Sequence, residues 1–80
     1  MLRGMTTRER RARAKVAARA FDGVLSRRAL ERHGVDARMI RREIAAERWR
    51  AHGRQTIALH TGLLSERALW WRAVWEGGAG

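Results

Sequence analysis

The sequence predicts a mainly α-helical domain with one small β-hairpin, and three observations carry that expectation. Capping residues followed by helical spacing recur at Thr6, Ser26, Asp36 and Ser65. After Glu47 the apolar period shortens from helical to alternating. Gly23, Gly34, Gly53 and Gly62 fall where one element gives way to the next. The 80 residues suffice for one domain. Without cysteine, no disulfide or thiolate metal site supports it, so the core must come from Ile, Leu, Val, Phe and Trp.

Thr6 and Glu9 have the spacing of a capping box, so a first helix is expected over residues 7 to 21, stopped by Asp22-Gly23. Val16, Ala17, Ala20 and Phe21 gather on its inner side. Arg8, Arg11, Lys15 and Arg19 form a basic stripe opposite, read as a solvated face. Val24-Leu25 is a brief strand or bridge. Ser26 caps a helix of residues 27 to 33 whose core candidates are Ala29 and Leu30, and Gly34 ends it.

Gly34-Val35-Asp36 is a three-residue turn into a helix of residues 37 to 47, capped by Asp36. Two short helices joined by such a turn form the supersecondary unit of a helix-turn-helix. In the second helix Ala37, Ile40 and Ile44 are expected to face the core. Arg38, Arg42 and Ala45 fall on the opposite face, with Arg41 on one shoulder and Met39 and Ala46 on the other. An arginine face thinned by alanine can enter a major groove without clashing.

Beyond Glu47, Trp49, Ala51, Ile57 and Leu59 alternate inward while Arg50, His52 and Arg54 look out. This pattern predicts a two-stranded ribbon of residues 48 to 60 that reverses at His52-Gly53-Arg54-Gln55. Trp49 reads as a plug for the core rather than a platform for an unpaired base. A ribbon in this position is a wing, so residues 1–62 are expected to form a winged helix-turn-helix.

Thr61-Gly62 breaks the strand, and Ser65 caps a last helix of residues 66 to 76. Leu69, Trp70, Trp71, Ala73, Val74 and Trp75 surround nearly its whole circumference. A helix apolar on all sides is normally buried on all sides. Each exposed tryptophan leaves roughly 200 Å², or about 5 kcal/mol of burial, unrealised. Trp70, Trp71, Val74 and Trp75 are therefore expected to meet a further C-terminal region or a second subunit. Residues 63–80 form a separate Trp-rich unit on this reading, with Gly77-Gly78-Ala79-Gly80 as its linker.

Eighteen Lys and Arg, of which only Lys15 is lysine, stand against eight Asp and Glu, a formal charge of +10. Such an excess favours polyanions, and arginine suits bidentate recognition of phosphate and of the guanine edge. A GC-rich codon usage would favour arginine over lysine but would not create the net charge. MLRGMTTRER lacks the apolar run of a signal peptide. Gln55 to Ser65, the longest uncharged stretch, is too short to span a bilayer, so no membrane partner is expected. A cytoplasmic, nucleoid-associated location follows as the expectation.

Catalytic chemistry is not signalled. His33, His52 and His60 lack a shared helical i, i+4 spacing and an accompanying carboxylate, so no metal site is expected. The C-terminal glycines have neither the lysine nor the following helix of a phosphate loop. Ser26 and Ser65 sit where caps belong. No enzyme activity and no cofactor are expected.

Val24-Leu25-Ser26, Gly34-Val35-Asp36, Ile40-Arg41-Arg42 and Arg48-Trp49-Arg50 together resemble the N-terminal winged-helix domain of AbiEi-type abortive-infection antitoxins. A similar module fronts actinobacterial proteins that end in a Vsr-like endonuclease domain. Ile57-Ala58-Leu59-His60, Leu64-Ser65 and Arg67-Ala68-Leu69-Trp70 fit the same pattern. The resemblance implies a promoter-binding repressor of a toxin-antitoxin operon, with Arg38, Arg41 and Arg42 on the recognition helix.

The residues themselves point the same way, to a sequence-specific duplex-DNA-binding module. Arg38, Arg41 and Arg42 would enter the major groove, with Ala45 leaving room for a thymine methyl. Arg50 and Arg54 on the wing would meet phosphate or the minor groove. Ser26, Arg27 and Arg28 would clamp the backbone through charge and free amides. The alternatives are a protein-interaction or dimerisation module and the DNA-targeting front end of a nuclease.

Overall fold

The computed structural model describes residues 4–77; the start of the basic N-terminal stretch and most of the expected glycine linker lie outside the described residues. The chain is mainly helical with a small antiparallel sheet. Helix α1 spans Thr7–Ala18 and starts in a capping box, the Thr6 hydroxyl accepting the Glu9 amide and the Glu9 carboxylate accepting the Thr6 amide. It tightens into a 3₁₀ turn at Arg19–Phe21 and stops where Asp22 and Gly23 take left-handed φ of 54° and 90°. The buried face of α1 is Ala14 and Ala18, with Ala17 and Phe21 packed beside them. Val16, expected inside, is 58% exposed, and Ala20 is exposed too. Small alanines let α1 approach its neighbours closely, and that closeness outweighs the larger area of one valine.

Strand β1 (Val24–Ser26) leads into α2 (Arg27–Arg32), and α3 follows at Ala37–Ala45. Ser26 and Asp36 cap the two helices by accepting the Ala29 and Met39 amides at 3.1 and 2.9 Å. In the turn between them Gly34 takes a φ of 84° and Val35 is fully buried. Helix α3 ends two residues short of expectation, because Glu47 adopts a left-handed φ of 61°.

The hairpin is β2 (Arg50–Ala51) and β3 (Thr56–Ala58), and β3 also pairs with β1, giving the order β1-β3-β2. The register sets Leu25 opposite Ile57 and Val24 opposite Ala58. Neighbouring strand residues point to opposite faces, so the sheet serves two apolar clusters. On one side Leu25 and Ile57 meet Ala14, Leu30, Val35, Met39, Ile40 and Trp49 from the helical layer. On the other, Val24 and Ala58 meet Ala68 of α4 (Glu66–Gly77), with Phe21, Leu64, Trp71 and Trp75 alongside. Ala58 is buried because α4 covers its face, which the expected alternation did not include. Ala51, expected inside, is exposed on the short edge strand, and His52, expected outside, is half-buried.

Helix α4 covers part of its own tryptophan surface. Trp71 meets Phe21 edge to face at 4.8 Å between centroids and stacks on Trp75 at 5.8 Å. Both are half-buried, so part of the surface expected to meet a partner is covered within the chain. Trp70 is 60% exposed, and Leu69 and Val74 share the uncovered side. The Ser65 hydroxyl fixes the start of α4 twice, accepting the Ala68 amide at 3.1 Å and donating to Asp22 at 2.8 Å.

Candidate nucleic-acid interface

The sequence of α3 divides it lengthwise. Met39, Ile40 and Glu43 are buried and Ile44 half-buried, while Arg38, Arg41, Arg42 and Ala45 are exposed. At 3.6 residues per turn the four exposed residues fall within an arc of about 100°. This inner face is turned from the expected one: Ala37 is exposed and Met39, placed on a shoulder, is buried.

Glu43 explains the turn. Sequence reasoning did not single it out, yet it is only 2% exposed. Arg11 of α1 grips it with two bonds, Nε to Oε1 at 2.7 Å and Nη2 to Oε2 at 2.9 Å, and Arg48 stands at 3.9 Å. The carboxylate raises the Arg11 pKa further above its ordinary value through that bond, and its charge adds to the effect. Arg11 is therefore not part of a solvated stripe. This two-point ion pair, buried on the Glu43 side, ties α3 to α1 with Glu43 inward and the outer arginines facing away. The available signal was the position of Glu43 between Ile40 and Ile44, on the face those isoleucines define.

The N-terminal end of α3 gathers more charge. The Met39 amide holds the Asp36 carboxyl below its ordinary range; partial desolvation opposes this, and the nearby cations Arg38, Arg10 and Arg42 add to it. Arg10, which sequence reasoning did not single out, thus belongs with the α3 arginines. It is half-buried, and its Nε has no hydrogen-bond partner among the described residues.

The other expected contacts divide. Arg28 and Arg54 are exposed, as is Arg50. The pairing of Arg50 with Ala58 turns it to the sheet face that carries α4, away from the α1–α3 layer. The Ser26 hydroxyl is engaged as the α2 cap. Two of the amides expected to be free at the start of α2 are taken: Arg27 N–H donates to the Gln55 carbonyl at 2.8 Å and Ala29 N–H to Ser26. The Arg27 side chain braces the hairpin turn, its Nε donating to the Arg54 carbonyl at 2.7 Å.

From its other side, α4 holds the same turn. Arg72 Nε donates to the His52 carbonyl at 2.6 Å. The Glu76 carboxylate accepts the Arg54 amide at 2.9 Å, the Gln55 amide at 2.8 Å and the Thr56 hydroxyl at 2.7 Å. Partial burial pushes the Glu76 carboxyl up, but the bonds from Thr56, Gln55 and Arg54 outweigh it and hold it below the usual carboxylate range. Burial lowers the His52 pKa, and the charges of Arg72, Arg50 and His60 lower it further.

No family model, curated protein or solved structure matches the chain. Among the described residues no group of three His, Cys, Asp or Glu could hold a metal ion, and no helix is long and apolar enough to cross a membrane.

Proposed function

We propose that this chain binds duplex DNA as a winged helix-turn-helix, with α3 in the major groove. The observation that carries the reading is the common exposed arc of Arg38, Arg41, Arg42 and Ala45, backed by a buried face of Met39, Ile40 and Glu43. Among the described residues none of these three arginines pairs with a carboxylate, so their donors are open to phosphates and base edges. The element order supports the reading as well, since a helix-turn-helix is followed by a hairpin whose inner strand joins β1. Arg28 and Arg54 would meet phosphates. Ser26 and Arg27 would act by holding the α2 start and the wing in place. The role of a repressor or antitoxin-type autoregulator, and a place on the nucleoid, belong to the same proposal.

The test is a duplex selected from a randomised pool, titrated by fluorescence anisotropy at several salt concentrations. Affinity falls steeply with salt, by a log–log slope of about 0.9 per phosphate neutralised. Arg42→Ala weakens binding by about 1–3 kcal/mol and relaxes the selected sequence. An Arg42→Ala protein as tight and as selective as the parent overturns the assignment of α3. The uncovered Trp70, Leu69 and Val74 favour a second reading, a protein-interaction module. Salt-insensitive DNA binding together with a stable dimer in sedimentation would decide for it.

A further inference from the structure

We propose that the wing turn is a binding site for a phosphate-class oxyanion, and that the Glu76 carboxylate occupies it as a built-in stand-in. The turn converges three donors on one point, the Arg54 and Gln55 amides and the Thr56 hydroxyl, all within 2.7–2.9 Å of carboxylate oxygens. Successive backbone amides aimed at one anion form the kind of concavity that holds phosphate in other proteins. Gly53 completes it. Its φ is 124°, and a Cβ there would lie 2.5 Å from the Glu76 carboxyl carbon. The backbone thus closes directly onto the anion.

The surrounding charge is more than one carboxylate needs. Arg27 and Arg72 donate to carbonyls of this turn, and Arg54 lies within it. Among the described residues none of the three forms an ion pair with a carboxylate. The turn and the side chains that bind its carbonyls thus carry three guanidinium groups against one carboxylate, a positive balance that suits an anion of higher charge. Glu76 is tethered, so its effective concentration is in the millimolar range or above, and dilute free phosphate does not displace it. A phosphate carried on a duplex already held by α3 is tethered as well, and can compete.

The experiment follows the Arg54 and Gln55 amides by ¹H–¹⁵N NMR in the full chain, in Glu76→Ala and in Glu76→Gln. Each is titrated with inorganic phosphate against chloride at equal ionic strength, and separately with duplex DNA. In Glu76→Ala both amides shift saturably with millimolar phosphate and not with chloride, whereas the parent stays silent. Glu76→Gln, which keeps an oxygen acceptor without charge, saturates at higher phosphate. Duplex binding of Glu76→Ala tightens about three- to tenfold, with a salt slope steeper by about 0.9, one additional phosphate. Phosphate shifts without duplex shifts at the same amides assign the site to free phosphate; both together assign it to the nucleic-acid backbone. A native-like spectrum with no saturable shift overturns the proposal. So does collapse of the wing resonances in both variants, because the turn would then owe its shape to the carboxylate. The duplex arm rests on the DNA-binding reading, but the inorganic phosphate arm does not, so either can fail alone.

Discussion

Helices α3 and α4 lie on opposite sides of one sheet and divide their residues between protein and water by different rules. On α3, arginines alternate with isoleucines, and the apolar side goes in. Among its charged residues the buried Glu43 departs from that division, and Arg11 compensates it. Helix α4 is apolar nearly all round, so apolar burial alone does not choose its inner face. Its few polar groups narrow the choice: Arg72 and Glu76 reach the hairpin turn and Ser65 reaches Asp22, which brings Ala68, Trp71 and Trp75 toward the sheet. Where hydrophobicity is uniform, hydrogen bonds select the orientation.

That contrast predicts unequal mutational responses. The largest is in the helical layer: Ile40→Ala, at a site 1% exposed, lowers the free energy of unfolding by about 3 kcal/mol in urea titrations. Such a loss is a large share of the stability of a small domain. Arg11→Ala follows, at about 2–3 kcal/mol, because Glu43 stays buried with only Arg48 at 3.9 Å. A loss under about 0.5 kcal/mol would show that Glu43 finds water and does not fix α3. On the α4 side Trp71→Ala removes about 1–2 kcal/mol of half-buried packing, whereas Trp70→Ala changes stability by less than about 0.5 kcal/mol. Equal effects at the two tryptophans would erase the distinction between the two sides of α4.

Acid gives the smallest and most graded response. His52 has a lowered pKa in the fold, so below about 6.5 the unfolded chain binds the proton more readily and stability declines. Asp36 and Glu76 have lowered carboxyl pKa values, so their contribution is present above about pH 4 and is lost as pH falls below it. Midpoints of urea unfolding measured from pH 7.5 to 3 should therefore fall in two stages. His52→Gln should remove only the first.

Much of the frame was legible in the sequence. Thr6, Ser26, Asp36 and Ser65 each cap the helix their position announced, because an N-cap depends on a local hydrogen bond. The arginine face of α3 was legible for a similar reason: charge rarely goes inside without a partner. The exceptions depend on contacts distant in sequence. Glu43 is paired with Arg11, 32 residues away, and Glu76 meets the hairpin turn 20 to 22 residues away. No local pattern reports such pairs. The rotation of α1 escaped because its inner side was drawn through Val16, Ala17, Ala20 and Phe21, whereas close approach favours the face of Ala14 and Ala18. The cover that Trp71 and Trp75 find was missed because the second face of the sheet had not been counted as a surface for them.

Strand β3 belongs to both clusters, Ile57 on one side and Ala58 on the other. Neither layer can detach without stripping cover from the same three residues, so the two sides are thermodynamically joined rather than stacked. Heat should melt the chain in a single step, with the near-ultraviolet tryptophan signal and the far-ultraviolet helical signal disappearing at one temperature.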